Sequence, residues 1–414
     1  MIERALCEAA FREAIIACDP ALRVSEALAR EPSAGRRGDT VPGAATAASR
    51  GELIGLAIGK AAVAMARGAG PVARGLVVAP RGRVATSAPD APPPGDEIAD
   101  VPLDHGLPAG WSIVHAAHPL PDDTSFAAGA EAIRIVDSAG PDDIVLALVS
   151  GGASALVEQP REGLGVDDYR ERVRTVMASG APIAELNRVR TELSAIKGGK
   201  LAARSKAPVI TLVVSDVIGD DPRVIGSGPT VTEPPRNGDR ALVVAPMASF
   251  GIAVADALAA RGIAVRRIAE PIADDVAAVA DRLAAEPGDG PERGAAQHGV
   301  VVAWGEPTLR VPEAHGTGGR AQQLALELAR HLRGTSRSAF VAGSDGRDGP
   351  TDAAGAYVDG TTWDALVARA QRDPRLDPDA ALRRCDAGTA LAAVGALVIT
   401  GPTGINHADV VILG

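Results

Sequence analysis

Apolar runs bounded by Gly, Asp or Pro recur along the chain. They are ELIGLAIG (52–59), GLVVAP (75–80), DIVLALVS (143–150), VITLVVSDV (209–217), ALVVAP (241–246), VVVAWG (300–305), AFVAGSDG (339–346) and ALVIT (396–400). Unbroken apolar runs of this length fit strands buried on both faces, whereas a half-exposed strand would alternate. Helical patterns lie between them, so the expected fold is α/β: two α/β domains with mostly parallel sheets. The first residues, MIERALCEAAFREAIIAC, read as an amphipathic helix, because charges fall inside the first turn where a signal peptide would begin its apolar stretch. Segments 31–50, 87–109 and 286–299 are rich in Gly, Pro and small residues and read as surface loops. The stretch TVTEPPRNGD (230–239) has linker composition. It predicts a Rossmann-like N-terminal domain over 1–236 and a C-terminal α/β domain over 237–414.

Composition narrows the function. The chain has 414 residues, with 42 Lys+Arg against 52 Asp+Glu, a formal charge of −10. An acidic protein has no cation excess with which to replace phosphate counterions, and aromatics at 2% leave few stacking platforms. Nucleic acid is therefore not an expected partner. Cys7, Cys18 and Cys385 are odd in number and form no CxxC or Cys/His cluster, which argues against a disulfide framework or a structural zinc site. No uncharged apolar run reaches the ~18 residues of a membrane span. A cytoplasmic protein without a membrane segment is the expectation.

In open α/β sheets, ligands bind beyond the carboxyl ends of strands, so residues just after each apolar run are the candidates. Lys60 follows the first run at a helix start, where its charge adds to the positive end of the helix dipole. The segment is not a P-loop, since Ala61 follows the Lys where Ser or Thr is needed. Ser150, Gly151, Gly152 and Ser154 sit at another strand-to-helix turn, where paired glycines let backbone approach a ligand. In ELNRVRTELSAIKGGKLAARS (185–205), about 100° per residue puts Asn187, Arg190, Ser194 and Lys197 on one face. That pattern predicts an anion-facing helix that stops at Gly198-Gly199. Asp216 ends a strand and Asp220 follows in a Gly-containing loop, a donor type that suits Mg²⁺. Asp345 and Asp348 lie in a second acidic loop, GSDGRDGPTDAAG (343–355). Arg320 opens an amphipathic helix after GTGG. Each has a plainer reading as a tight turn, a cap or a solvated face.

Seven segments in order resemble glycerate kinases of the class that carries the MOFRL domain: GKAAVAMA, HPLPDDTSFAAG, LVSGGASALV, LNRVRTELSAIKGGKLA, VVSDVIGDDPRVIGSGPT, GSDGRDGPTDAAGA and TGPTGIN. The resemblance runs from about Lys60 to the C-terminus. It implies ATP-dependent phosphorylation of D-glycerate with Mg²⁺, more commonly at the 2-hydroxyl, in a cleft between two α/β domains. It places a key Lys at Lys60 and a key Arg at Arg320. Phosphoryl transfer needs positioning and charge neutralisation, for which Lys60, Arg190, Lys197 and Arg320 are the cations and Asp216, Asp220 or Asp345 the metal ligands. Asp348 is the expected partner of the substrate hydroxyl, and His118, in HPLP, is expected to shape its loop. The chain departs from the pattern at Ala321 and Gln323, in GRAQQLAL where the family commonly has GRNQELAL, and at His407, where Val is usual. Two rival readings stand beside it: a hydroxypyruvate reductase, which would need a dinucleotide fingerprint, and a non-catalytic sugar-phosphate binding module.

Overall fold

A computed structural model describes residues 1–29, 51–81, 106–118, 120–179, 183–286 and 299–414. The predicted loops 31–50, most of 87–109 and most of 286–299 lie outside the described residues. The chain forms two compact units, one made of Pro20–Ala245 and the other of Met1–Asp19 with Pro246–Gly414.

The Pro20–Ala245 unit is built on strands β1 (Leu53–Ile58), β2 (Arg74–Pro80), β3 (Trp111–Ala116), β4 (Ile144–Val149), β5 (Val209–Val214) and β6 (Arg240–Ala245). They lie in the order β3-β2-β1-β4-β5-β6, every neighbouring pair parallel. Alternate side chains serve opposite faces. Ile54, Leu56, Ile58, Val145 and Ala147 pack with Ala128, Ala132 and Ile135 of the helix Asp123–Asp137. Ala57, Val77, Leu146, Leu148 and Leu212 pack with Val24 and Met65 from the helices Pro20–Ala29 and Ala62–Ala69. Burial on both faces is why these strands read as unbroken apolar runs. The expected parallel α/β sheet is present here.

The second unit holds β7 (Ala264–Arg267), β8 (Gly299–Gly305), β9 (Ser338–Gly343), β10 (Gly355–Asp359), β11 (Leu397–Val398) and β12 (Asp409–Leu413), in the order β11-β10-β9-β12-β8-β7. This sheet corrects the expectation of parallel strands. Only β7 and β8 pair in parallel: β12 returns from the turn after Thr400 and inserts antiparallel between β8 and β9, and β10 pairs antiparallel with both β9 and β11. The helix Arg320–Leu332 covers one face through Leu324, Leu328 and Leu332. The opposite face is covered by the helices Arg4–Ala17 and Ser249–Ala259.

The predicted domain division also needs correction. The division falls between Ala245 and Pro246, because β6 completes the first sheet. The stretch 230–239 is ordered: Arg236 donates to Ser205 O and Ala207 O, and Asp239 accepts from Val209 N. The N-terminal helix is amphipathic as expected but belongs with the C-terminal residues. Its Phe11 ring meets Phe250 edge-on at 5.2 Å and Phe340 at 5.5 Å.

The expected helix over 185–205 is two helices, Ile183–Leu193 and Lys200–Arg204. The first ends at Leu193 because the next residues pair with an extended segment: Ala195 N donates to Gln159 O, and Arg161 N donates to Leu193 O. Ser194 and Lys197 are therefore not on a helix face. The Lys197 side chain, 1% exposed, pairs with the wholly buried Glu158 at 2.6 Å. Tyr169 Oη and Ser194 Oγ also donate to Glu158, at 2.5 and 2.6 Å. Burial pushes the Lys197 ammonium down to about 8, opposed by the Glu158 charge. Gly198 and Gly199, both in the left-handed region, carry the chain into the second helix.

Removing one member of such a pair leaves a buried charge without compensation. Glu158→Ala is expected to cost about 3–5 kcal/mol of unfolding free energy. The double variant Glu158→Leu with Lys197→Met should lose clearly less than the sum of the two single variants. Urea unfolding of the four proteins checks this, and additive losses would contradict the pairing.

Candidate active site

The order of the first sheet reverses between β1 and β4, which run to the same carboxyl end with their crossovers leaving in opposite directions. A crevice forms at such a reversal. Here the two crossovers are tied together. Ser150 Oγ accepts from Ala61 N at 3.1 Å, and Lys60 N donates to Gly151 O at 2.9 Å. The contact is close enough to require Gly59: a Cβ there would lie 2.2 Å from Ser150 Oγ, and its φ is +130°. Gly152, at φ +84°, packs between two side chains. A Cβ on it would lie 3.1 Å from His118 Cδ2 and 3.3 Å from Lys60 Cγ. Lys60, Ser150, Gly151 and Gly152, predicted separately, thus converge with His118 at one place. The Lys60 and His118 side chains are exposed, and Ser150 and Gly151 are buried. The N–H groups of Gly151 and Gly152 donate to no described residue.

Beneath this turn, two cations hold one carbonyl. Ser154 O accepts from Lys197 Nζ at 2.8 Å and from Arg190 Nη2 at 3.0 Å, while Ser154 Oγ bonds Ser227 Oγ at 2.9 Å. Lys197 and Ser194 are buried and engaged with Glu158, which corrects their expected place on an open anion-facing surface. Asn187 is exposed and Arg190 half-buried. Their common face survives only within the helix Ile183–Leu193.

Asp216 follows β5 at the same end of the sheet, and Asp220 lies in the next turn with φ +51°; both are half-buried. Asp221 is occupied by Arg223 at 2.7 Å, and Arg223 also binds Glu233. Among the described residues, no group of three or more His, Cys, Asp or Glu is arranged as a metal cage. A Mg²⁺ site takes only one or two protein carboxylates. Asp216 and Asp220 fit that requirement by donor type. Asp345 belongs to the second unit, where its Oδ1 accepts from Arg347 N at 3.0 Å.

The second unit carries a pocket of about 750 Å³, lined by Glu306, Arg320, Asp345, Asp348, His407 and Asp409 among others. Arg320 Nε donates to Asp409 Oδ2 at 2.6 Å, and its Nη2 donates to Glu306 Oε1 at 2.7 Å. Burial alone would lower the Arg320 pKa, but these two carboxylates hold it above its ordinary value. The fork edge that a bidentate carboxylate ligand would use is already taken by Asp409; Nη1 bonds no described residue. Asp348, 5% exposed, accepts from Ala321 N at 3.0 Å and Gln322 N at 2.7 Å. It caps the helix that carries Arg320. A Cβ on Gly319 would lie 2.2 Å from its Oδ1, which accounts for the glycine before the helix. Burial, then the Asp409 charge, push the Asp348 carboxyl up to about 7, against the pull of the two N–H groups. Asp348, the expected partner of a substrate hydroxyl, thus both lines the pocket and caps the helix that carries Arg320.

The departures from the family pattern are absorbed by packing. Ala321 is wholly buried and Gln323 donates to Leu382 O at 2.9 Å; neither lines the pocket. His407 is buried, stacks on Phe250 within 4° of parallel, and its N–H donates to Ser344 Oγ. Glu306 escaped the sequence reading. It directly follows β8, so the strand-end rule that picked out Lys60 and Asp216 applied to it as well.

Residues 6–260 match a family described as a domain of unknown function, DUF4147, and residues 299–409 match the MOFRL family. A glycerate 2-kinase of Pyrococcus horikoshii is 33% identical over 72% of this chain and 77% of its own length. A D-glycerate 2-kinase of Thermotoga maritima is 34% identical over 73% and 79%. A protein of Agrobacterium vitis, named as a candidate hydroxypyruvate reductase, is 33% identical over 97% and 92%. The crystal structure of a Thermotoga maritima glycerate kinase superposes with a TM-score of 0.79 at 28% identity, covering 99% of this chain and 98% of that one. The expected resemblance is borne out in both sequence and fold: the chain belongs to the glycerate kinase family of the class that carries the MOFRL domain.

Proposed function

We propose that the protein transfers the γ-phosphoryl group of ATP to D-glycerate with Mg²⁺, giving 2-phospho-D-glycerate. The observation that carries this reading is the convergence of Lys60 with the Gly151-Gly152 turn at the β1/β4 reversal. Both substrates are anions and the protein is acidic overall, with a charge of −10, so anion binding must be local. The Lys60 side chain, whose Cγ lies against Gly152, and two N–H groups that donate to no described residue supply that local field. Phosphoryl transfer passes through a loose transition state whose charge spreads over the equatorial oxygens. Donors fixed before the reaction neutralise that charge without reorganising. The tie between Ser150 and Ala61 and the two cations on Ser154 O fix the turn in this way. Asp216 and Asp220 are the residues that would hold Mg²⁺, which when bound neutralises phosphate charge. Arg320 is the proposed cation of the second unit.

The name of the Agrobacterium vitis relative keeps reduction of hydroxypyruvate as a second reading. The strand order of the first sheet also occurs in dinucleotide-binding proteins. Their fingerprint G-x-G-x-x-G requires glycines where this chain, counting from Gly59, has Ala61 and Ala64. One comparison separates the readings: ADP release with D-glycerate and Mg-ATP against NADH oxidation with hydroxypyruvate. ADP release dependent on glycerate supports the kinase. NADH oxidation without it overturns the kinase reading.

The geometry of Arg320 makes a further prediction. With Asp409 and Glu306 holding Nε and Nη2, Nη1 is left for an anion, and a lysine ammonium lacks the rigid planar fork that aims separate donors at the two carboxylates and the anion at once. Arg320→Lys is expected to lower kcat by about a hundredfold or more, with a small change in the glycerate KM. Steady-state kinetics of the variant check this. A rise confined to the glycerate KM would show a ground-state clamp instead.

A further inference from the structure

His118 was expected to shape its loop, and its surroundings also admit a chemical role. Its side chain is exposed, and neither ring nitrogen bonds any described residue. Instead the ring lies against the Gly152 turn, with Nε2 3.2 Å and Cδ2 3.1 Å from the point a Cβ would occupy. Lys60 Cγ lies 3.3 Å from the same point. The absence of a side chain at Gly152 therefore lets the imidazole and the aliphatic stem of Lys60 approach one stretch of backbone from two elements.

The three groups have complementary chemistry. Lys60 and the turn's N–H groups can only donate, so they favour phosphate oxygens. The imidazole can accept a proton when neutral. Partial burial, then the Lys60 charge, hold His118 below its ordinary value, so it is neutral at pH 7. Lys60 is the charged group acting on it; the turn from Ser150 to Ser154 contributes no titratable side chain. Of the groups described against Gly152, the imidazole is the one that can take a proton at neutral pH; the carboxylates of Asp216 and Asp220, at the same end of the sheet, are assigned above to Mg²⁺.

We propose that His118 is the general base of the reaction, accepting the proton of the glycerate hydroxyl at Nε2. This rests on the kinase reading above. As the hydroxyl oxygen bonds to the γ-phosphorus, the bond from that phosphorus to the β,γ-bridging oxygen breaks. Its electron pair leaves on ADP. The hydroxyl proton passes to Nε2 and then to solvent, which returns the imidazole to its neutral form. Protonating the ring beforehand blocks the step, so kcat must fall as pH drops through the His118 pKa.

The test uses the full-length protein with His118→Ala and His118→Gln. Both variants should melt as wild type does, because the side chain is exposed and bonds no described residue. Both should lose about a hundredfold in kcat with little change in KM, and their residual activity should lack the acid limb of the wild-type pH profile. A kcat within about threefold of wild type, or an unchanged acid limb, overturns the proposal. Titration of the wild-type imidazole by NMR, assigned by its loss in His118→Gln, separates this failure from failure of the kinase reading. The His118 resonance should shift on adding D-glycerate, whether or not ATP is consumed. An unmoved resonance overturns His118 as a substrate contact. A shifted resonance without ADP release supports the contact and instead counts against the kinase reading.

Discussion

The site in the first unit depends on one constraint: two parallel strands whose chains leave in opposite directions must be joined closely at their ends. In this protein the join is a hydroxyl. Ser150 Oγ accepts from Ala61 N, and Gly59 gives up its side chain to admit it. A single such hydrogen bond contributes about 1 kcal/mol, which is small beside the burial of the strands. Its value is geometric. It sets the start of the helix after β1 against the turn after β4, and thereby sets Lys60 against Gly152, which His118 meets from the segment after β3. A Cβ at position 59 would meet Ser150 Oγ and its carbonyl oxygen at 2.2 and 2.6 Å and force these elements apart, whereas one at position 152 would crowd the His118 and Lys60 side chains.

Charge is managed the same way throughout. The protein is acidic, and its cations at the candidate sites are held by specific partners. Lys197 is sunk beneath the turn and paired with Glu158, so its ammonium works on Ser154 O and not on solvent. Arg320 is gripped by Asp409 and Glu306 while Asp348 pins the helix that carries it. These groups are positioned at some electrostatic cost. The raised pKa values of Asp348 and Asp409 report it, since burial disfavours the charge in both. Such arrangements fix the direction of a side chain, which matters for transition-state binding more than its charge alone.

Much of this was legible in the sequence, for definite reasons. Strands buried on both faces write themselves as unbroken apolar runs, and the strand-end rule then found Lys60, Ser150 and Asp216. β3, with Ser112 and His115 among its apolar residues, and β7, with Arg266 and Arg267, are edge strands and lack that signal. The antiparallel insertion of β12 was illegible because strand direction is a tertiary property. Helical periodicity misplaced Ser194 and Lys197, since it cannot register that Glu158 draws the lysine inward or that Ala195 pairs with Gln159. The domain boundary was misplaced because Pro-rich composition marks a loop whether or not the loop is tied down. That His118 lies against Gly152 was illegible because the two are remote in sequence and only the tertiary fold brings them together.

The central claim is that the β1/β4 crossover holds the anions in transit through the charge of Lys60. The most direct test is Lys60→Ala, assayed for glycerate-dependent ADP release alongside a thermal melt. The side chain is exposed, so the fold should not depend on it. The account predicts a fall in turnover of about a hundredfold, equivalent to ~3 kcal/mol of transition-state stabilisation, with an unchanged melting temperature. Turnover within about threefold of wild type at an unchanged melting temperature would contradict it.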